Sequence, residues 1–259
     1  MTLQPLTQEA IAPEIDYPDS DGNPMSDNTE QFSWIVIIKE NLEMMYANYP
    51  NVFVAGDLVW YPVRYTLRRM APDVMVAFGR PKGRRGSYKQ WLEDNIAPQV
   101  AFEILSPSNK DSRGIDALDE KFTFYETYGI QEYYIYDPDE LTLAGWQRQG
   151  DHLMPILSMS NWVSPLLGIR FDWEAGQELG LFRPDGQQFL SPVELDQLLQ
   201  QSKIQVWQEQ QRVIQERQRA DQERQRADQE RQRADQERQR ADRLAEQLRA
   251  LGIAPDDYI

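Results

Sequence analysis

The chain has 259 residues, with 42 acidic and 27 basic side chains and a formal charge of −15. It has no cysteine and one histidine, His152, which excludes disulfides, thiolate chemistry, cysteine-bound metals and a histidine-based triad. Any metal would take oxygen ligands, which favours magnesium, manganese or calcium over zinc.

Residues 1–28 are rich in Pro, Asp, Ser and Gly without periodicity, and read as a loosely ordered arm. The amino terminus lacks the basic and apolar regions of a signal peptide, and no apolar run reaches the roughly 20 residues of a membrane span. The expected location is therefore cytoplasmic, with no membrane partner. From Thr29 onward, Phe32, Ile35, Val36, Leu42 and Met45 fall near helical spacing and predict a first helix with one core-facing side, ended by Pro50 and Asn51. VFVAGDLVWYPV (52–63) reads as a strand interrupted at Gly56 and Asp57. Asp57 is either a bulge or turn residue or a secondary acidic candidate.

Two apolar runs follow, APDVMVAF (71–78) and PQVAFEILSPSN (98–109). Each carries one carboxylate that a buried strand has no packing reason to hold, Asp73 and Glu103. Strand alternation puts Glu103 on the face of Ala101 and Leu105. An ionised carboxylate is costly to bury unless paired, so a nearby cation is implied. Between the two runs, the loop GRPKGRRGSYKQWLEDN (79–95) concentrates Arg80, Lys82, Arg84, Arg85 and Lys89. It is either a solvated glycine-rich loop or a phosphate-binding one. In the second case Arg84, Arg85 and Lys89 are the candidate nucleic-acid contacts, and Tyr88 or Trp91 offers a stacking surface.

Ser106-Pro107-Ser108-Asn109 ends the second strand in a turn, with Ser106 a secondary candidate. A helix is predicted from about Asp116 to Tyr128, with Leu118, Phe122 and Tyr125 as its core stripe and Gly129 as its stop. Lys121 adjoins that stripe. It is either a snorkelling surface lysine or, lying one element after Glu103, a functional ammonium. In the strand QEYYIYD (131–137), Glu132, Tyr134 and Tyr136 share one face, as aromatic packing or as hydrogen-bond partners beside a site. From Leu141 to Phe189 the pattern is short antiparallel strands that widen the sheet or cover its edge, with hairpin turns at Gly150-Asp151 and Pro184-Asp185-Gly186.

SPVE (191–194) is a capping-box start to a long helix with four copies of QERQRAD from Gln215 to Asp242. One heptad position is apolar throughout, from Leu199 and Val206 to Leu248, while its complement is mostly charged. A weakly self-associating coiled coil, making the chain a homo-oligomer, and a solitary charged helix both fit this half-seam. Residues 192–259 carry a net charge of only −2, so the acidity lies in residues 1–191, at −13. Such a body argues against non-specific nucleic-acid coating but leaves room for a local basic groove.

The order helix, strand, Asp73 strand, Glu103 strand, helix, strand resembles the PD-(D/E)XK endonuclease-like superfamily, and more closely its Uma-two branch. The resemblance covers roughly residues 29–190 and rests on APDV, PQVAFEILSPSN and KFTFYETYGIQEYYIYDP. It implies an α/β fold with a restriction-endonuclease-like mixed sheet flanked by helices, bounded by the arm 1–28, a helix over 191–252 and a tail 253–259. It also implies a magnesium-dependent (or manganese-dependent) endonuclease acting on nucleic acid, DNA in the first instance. Asp73, Glu103 and the carbonyl of Ile104 would then hold the metal. The superfamily's usual lysine, two residues after the glutamate, is here Leu105, and Lys121 takes the matching position used in the branch. The rival expectation is a catalytically silent nuclease-like scaffold that docks partners through its terminal helix.

Overall fold

The structure is a computed structural model and describes residues 15–19, 28–110 and 112–250. Most of the arm 1–28 and all of the tail 253–259 lie outside the described residues. Chain contacts divide the molecule into two units, residues 1–194 and 195–259.

Helix α1 (Thr29–Met45) is capped by Asn28, whose side chain accepts the Gln31 N–H. Its inward stripe is Gln31, Trp34, Ile35, Ile38, Asn41 and Leu42, at three- and four-residue intervals. Phe32, expected inside, is exposed because it lies off that stripe. Strand β1 (Val52–Gly56) follows, and the chain then turns at Asp57, whose φ of 47° is left-handed, into the short β2 (Trp60–Tyr61). Next come β3 (Val74–Phe78), β4 (Tyr88–Lys89), β5 (Val100–Ile104), α2 (Ser112–Tyr128), β6 (Glu132–Asp137), β7 (Thr142–Gln149) and β8 (His152–Pro155).

The main sheet has the order β1-β3-β5-β6-β7-β8. Only β5 and β6 are parallel, joined by the α2 crossover, and every other neighbour is antiparallel. Strands β2 and β4 pair with each other in parallel. The later strands β9 (Trp162–Val163), β10 (Arg170–Asp172) and β11 (Gly180–Phe182) form a separate three-stranded sheet. Of the expected added strands, β7 and β8 therefore widen the main sheet and the rest do not.

Strand alternation divides the core into two layers. Val54, Val74, Val76, Val100, Phe102, Ile104, Tyr134 and Tyr136 face α1 and the small sheet. Phe53, Ala55, Met75, Ala77, Ala101 and Tyr133 face the other way, against Phe124 and Tyr125 of α2 and against Trp60. Glu132 belongs to the α1 side, by alternation with Tyr133. Its carboxylate accepts the hydroxyls of Tyr134 (3.0 Å) and Ser164 and the N–H of Leu166 (2.9 Å), pinning the turn that leads to β10.

The described part of the second unit is helical, within α3 (Pro192–Ala250), a helix of 59 residues that begins at the end of the first unit. Its start is the anticipated capping box: Ser191 N–H donates to Glu194 Oε2 at 2.8 Å, and Glu194 N–H donates to Ser191 Oγ at 3.3 Å. None of its residues is buried. No described helix is long and apolar enough to cross a membrane.

Because Glu132 satisfies three donors at 1 % exposure, Glu132→Ala leaves buried donors unpaired. A stability loss of about 3 kcal/mol is expected in denaturant unfolding.

Candidate active site

Strands β3 and β5 are antiparallel, with Val74 opposite Phe102 and Met75 opposite Ala101. Extending that register by one residue sets Asp73 opposite Glu103, both on the α2 side of the sheet. The Ile104 N–H donates to Asp73 Oδ2 at 2.7 Å, tying the two strand ends together through the carboxylate itself. Both acids are buried, Asp73 at 7 % and Glu103 at 2 % exposure.

Helix α2 supplies the compensation. Lys121 and Tyr125 lie one turn apart on one helix face. The Lys121 ammonium donates to Glu103 Oε2 and the Tyr125 hydroxyl to Glu103 Oε1, the latter at 2.6 Å. One glutamate thus has a cation on one oxygen and a phenol on the other. Tyr125 is fully buried, and burial together with the Glu103 charge pushes its phenol well above the ordinary value, so it remains a donor.

Helix α1 contributes from the other side of the sheet. Gln31 Nε2 donates to the Ile104 carbonyl at 2.8 Å, and the same side chain hydrogen-bonds Asp73. It is the first residue of the buried stripe, at the helix start, where it reaches the ends of both strands.

The balance at Asp73 is unfavourable for its charge. Burial raises its pKa most and the neighbouring Glu103 raises it further, whereas Lys121, the Ile104 N–H and Gln31 lower it; the outcome is a pKa of about 7. Beside the pair stands Tyr133, fully buried, whose hydroxyl has no hydrogen-bond partner among the described residues. Burial and the charges of Glu103 and Asp73 push that phenol well above the ordinary value.

These observations bear on a metal. Among the described residues no cluster of three or more His, Cys, Asp or Glu side chains forms a ready-made cage. The oxygens at hand are two carboxylates and the Ile104 carbonyl, a short, hard donor set that leaves most positions to water, as magnesium prefers. Asp73 is desolvated and stands beside Glu103, and a cation held between the two carboxylates would offset both penalties. The residues fit one.

The other anticipated residues lie elsewhere or are otherwise engaged. Arg85 is not a free phosphate contact. Its guanidinium binds Glu93 through Nε (2.6 Å) and Nη2 (3.1 Å), donates to the carbonyls of Pro81 and Gly83, and lies 3.9 Å from the Phe53 ring centroid. Arg80 joins it on Glu93 at 3.0 Å and also pairs with Asp94. The first acids after the basic run therefore fold back onto two of its five cations. Arg84 is exposed, and Lys89 is half-buried with its ammonium 5.4 Å from the Tyr17 ring. Tyr88 is fully buried and Trp91 packs on Tyr17, so neither is a bare stacking platform. Asp57 is half-buried and its N–H donates to the Asp73 carbonyl at 3.1 Å, which fits the turn reading. Ser106 is buried in a turn, its N–H and hydroxyl both donating to Asn109 Oδ1. Glu132 lies on the α1 side, away from Glu103.

A groove of about 560 Å³ lies between residues 67–70 and α2, with Arg68 and Arg69 on one wall and Asp119, Glu120 and Thr123 on the other. Its walls lie shortly before Asp73 and on either side of Lys121 in sequence.

The family model Uma2, described as "Putative restriction endonuclease", matches residues 37–178. The chain belongs to this family. The matched segment of this Uma2 member runs from the middle of α1 almost to β11 and contains Asp73, Glu103, Lys121, Tyr125 and Tyr133, while Gln31 lies just outside it. Among solved structures, the chain is similar to one described as a "putative nuclease belonging to DUF820" from Anabaena variabilis ATCC 29413. That similarity has 15 % identity and a TM-score of 0.39, over 53 % of this chain and 72 % of the other. No curated protein matches the chain.

Since Asp73 titrates near 7 when folded and near 4 when unfolded, the folded state holds a proton that the unfolded state has lost. In metal-free buffer, stability therefore falls as pH rises from about 4 to 7, by an amount on the order of 4 kcal/mol. Asp73→Asn removes that limb, which denaturant unfolding across this pH range will read.

Proposed function

We propose that this Uma2 member is a metal-dependent endonuclease that hydrolyses phosphodiester bonds in DNA. The observation that carries the reading is the convergence of Asp73, Glu103 and Lys121 from β3's start, β5 and α2. Magnesium or manganese would be held by the two carboxylates and the Ile104 carbonyl, where it supplies charge neutralisation and an acidified water.

The protein's own groups have separable tasks. Gln31 fixes the Ile104 carbonyl and Tyr125 fixes one oxygen of Glu103, so the donor atoms stay in place before any ligand arrives. Lys121 neutralises Glu103 in the resting site. With a cation held by the two carboxylates, that ammonium would be available to orient the attacking water or to offset charge developing on the phosphate. This assigns to a helix the ammonium that the superfamily usually places at the position of Leu105. Arg68, Arg69 and Arg84 are the cations suited to guide the backbone toward the acidic pair.

A second reading, a catalytically silent scaffold that oligomerises through α3, is favoured by Leu105 and by the exposed apolar side chains of that helix, among them Ile204, Val206 and Trp207.

Two measurements separate these readings. Incubation with duplex DNA, single-stranded DNA and RNA is expected to give cleavage with magnesium or manganese and none with chelator. Glu103→Gln and Lys121→Ala should each lower it at least about 100-fold while thermal melting shows a folded chain. Undiminished cleavage by Glu103→Gln removes the assignment. Calorimetry with magnesium alone should show binding that Asp73→Asn abolishes, whereas a silent scaffold need not bind.

A further inference from the structure

Among the described residues the acidic arm meets the basic loop through Tyr17 and Asp19. Residues 1–28 contain six acidic side chains and no basic one. Its described segment, 15–19, is held to the first unit at several points. The Tyr61 hydroxyl donates to the Pro18 carbonyl at 2.6 Å, and the Tyr65 N–H donates to the Tyr17 hydroxyl at 2.7 Å. The Tyr17 ring stands edge-on to Tyr61 at 5.3 Å and tilted against Trp91 at 5.0 Å, with the Lys89 ammonium 5.4 Å from its centroid.

The end of this segment is a carboxylate in an anion's position. Ser87 Oγ donates to Asp19 Oδ1 at 2.8 Å. The Asp19 carboxylate also lies where a Cβ on Gly86 would stand, so a side chain at position 86 would expel it. Glycine here leaves room for the carboxylate, although the flexible Asp19 side chain would give way to a larger residue. A hydroxyl donor beside bare backbone, in a loop whose remaining cations are Lys82, Arg84 and Lys89, suits a phosphate oxygen as well as a carboxylate. Arg80 and Arg85 are turned toward Glu93 and shape the loop instead.

We propose that the Gly86–Ser87 turn is a subsite for one backbone phosphate of the nucleic acid, and that the chain's own residues 15–19 occupy it. Asp19 stands in the phosphate's place and Tyr17 covers Trp91, so nucleic acid gains this subsite only by displacing the segment. The proposal rests on the nucleic-acid reading above. A competitor tethered in cis acts at high effective concentration, and the apparent affinity of the ligand falls by the fraction of time the segment is lifted. Trp91, once uncovered, becomes the stacking surface that the loop otherwise lacks.

The test uses the full chain and a fluorescent 20-nucleotide DNA, single-stranded and duplex, titrated by anisotropy in chelator so that nothing is cut. Asp19→Asn removes one exposed charge without changing shape, and Tyr17→Ala removes the plug. Each should tighten binding, the double variant about tenfold, with a salt slope steeper by about one phosphate contact. Adding Ser87→Ala to the double variant should reverse most of the gain. Affinity unchanged in Asp19→Asn and in the double variant overturns the proposal, as does a gain that Ser87→Ala leaves intact. Magnesium-dependent cleavage is followed in parallel. Cleavage by the wild type with binding indifferent to Asp19 and Tyr17 sinks the subsite alone. Tighter binding by the variants with no cleavage anywhere supports the subsite and sinks the nuclease.

Discussion

Two carboxylates facing each other across a buried strand pair are an electrostatic liability, and the first unit is arranged around containing it. The register of β3 and β5 forces Asp73 and Glu103 together, and sheet burial denies them water. Replacing both by apolar residues would be the cheaper solution for stability alone. Retaining them requires an ammonium and a phenol from α2, an amide from α1 and a strand N–H. Four elements therefore have their relative positions fixed by one charge problem. Burial and the neighbouring Glu103 raise the Asp73 pKa to about 7, a perturbation of the kind that clusters at functional sites.

The aromatic layer behind the acids connects them to the surface. Tyr125 lies 5.0 Å from Tyr133 and 6.5 Å from Trp60, in a parallel stack with the latter. Trp60 belongs to β2, which pairs with β4, and its indole N–H donates to Gln90 at the end of the basic loop. A rigid path of rings thus runs from the Glu103 hydrogen bond to the loop carrying Arg84 and Lys89. Aromatic side chains suit this role because they fill volume with few rotatable bonds.

Much of this was readable from the chain because strands and helices have different periods. Alternation alone put Glu103 on the Ala101 side, and Lys121 and Tyr125 sit four residues apart on a helix whose stripe was evident. The polar groups added by distant elements were not readable in the same way. A stripe counted from Phe32 leaves Gln31 outside it, because the helix face is then shifted by one residue. Its signal was a polar side chain in step with Trp34, Ile35 and Ile38. Tyr133 lies on the strand face opposite Glu132, Tyr134 and Tyr136, and its aromatic neighbours give it no sequence signal beyond packing. For the basic loop, charge counting was misleading. Composition shows five cations in sequence, but not that Glu93 turns back to engage two of them.

Helix α3 invites a different kind of thought. Four identical heptads present the same surface again at each step, so a partner lying along them would find several equally good alignments. Only the ends break the degeneracy, through Ile204, Trp207 and Ile214 before the repeats and Leu244 after them. Each copy gained or lost would change the length by about 10.5 Å and the facing direction by only about 20°. The segment is thereby a ruler graduated in whole heptads, whose reach can drift by copy number while its chemistry stays constant.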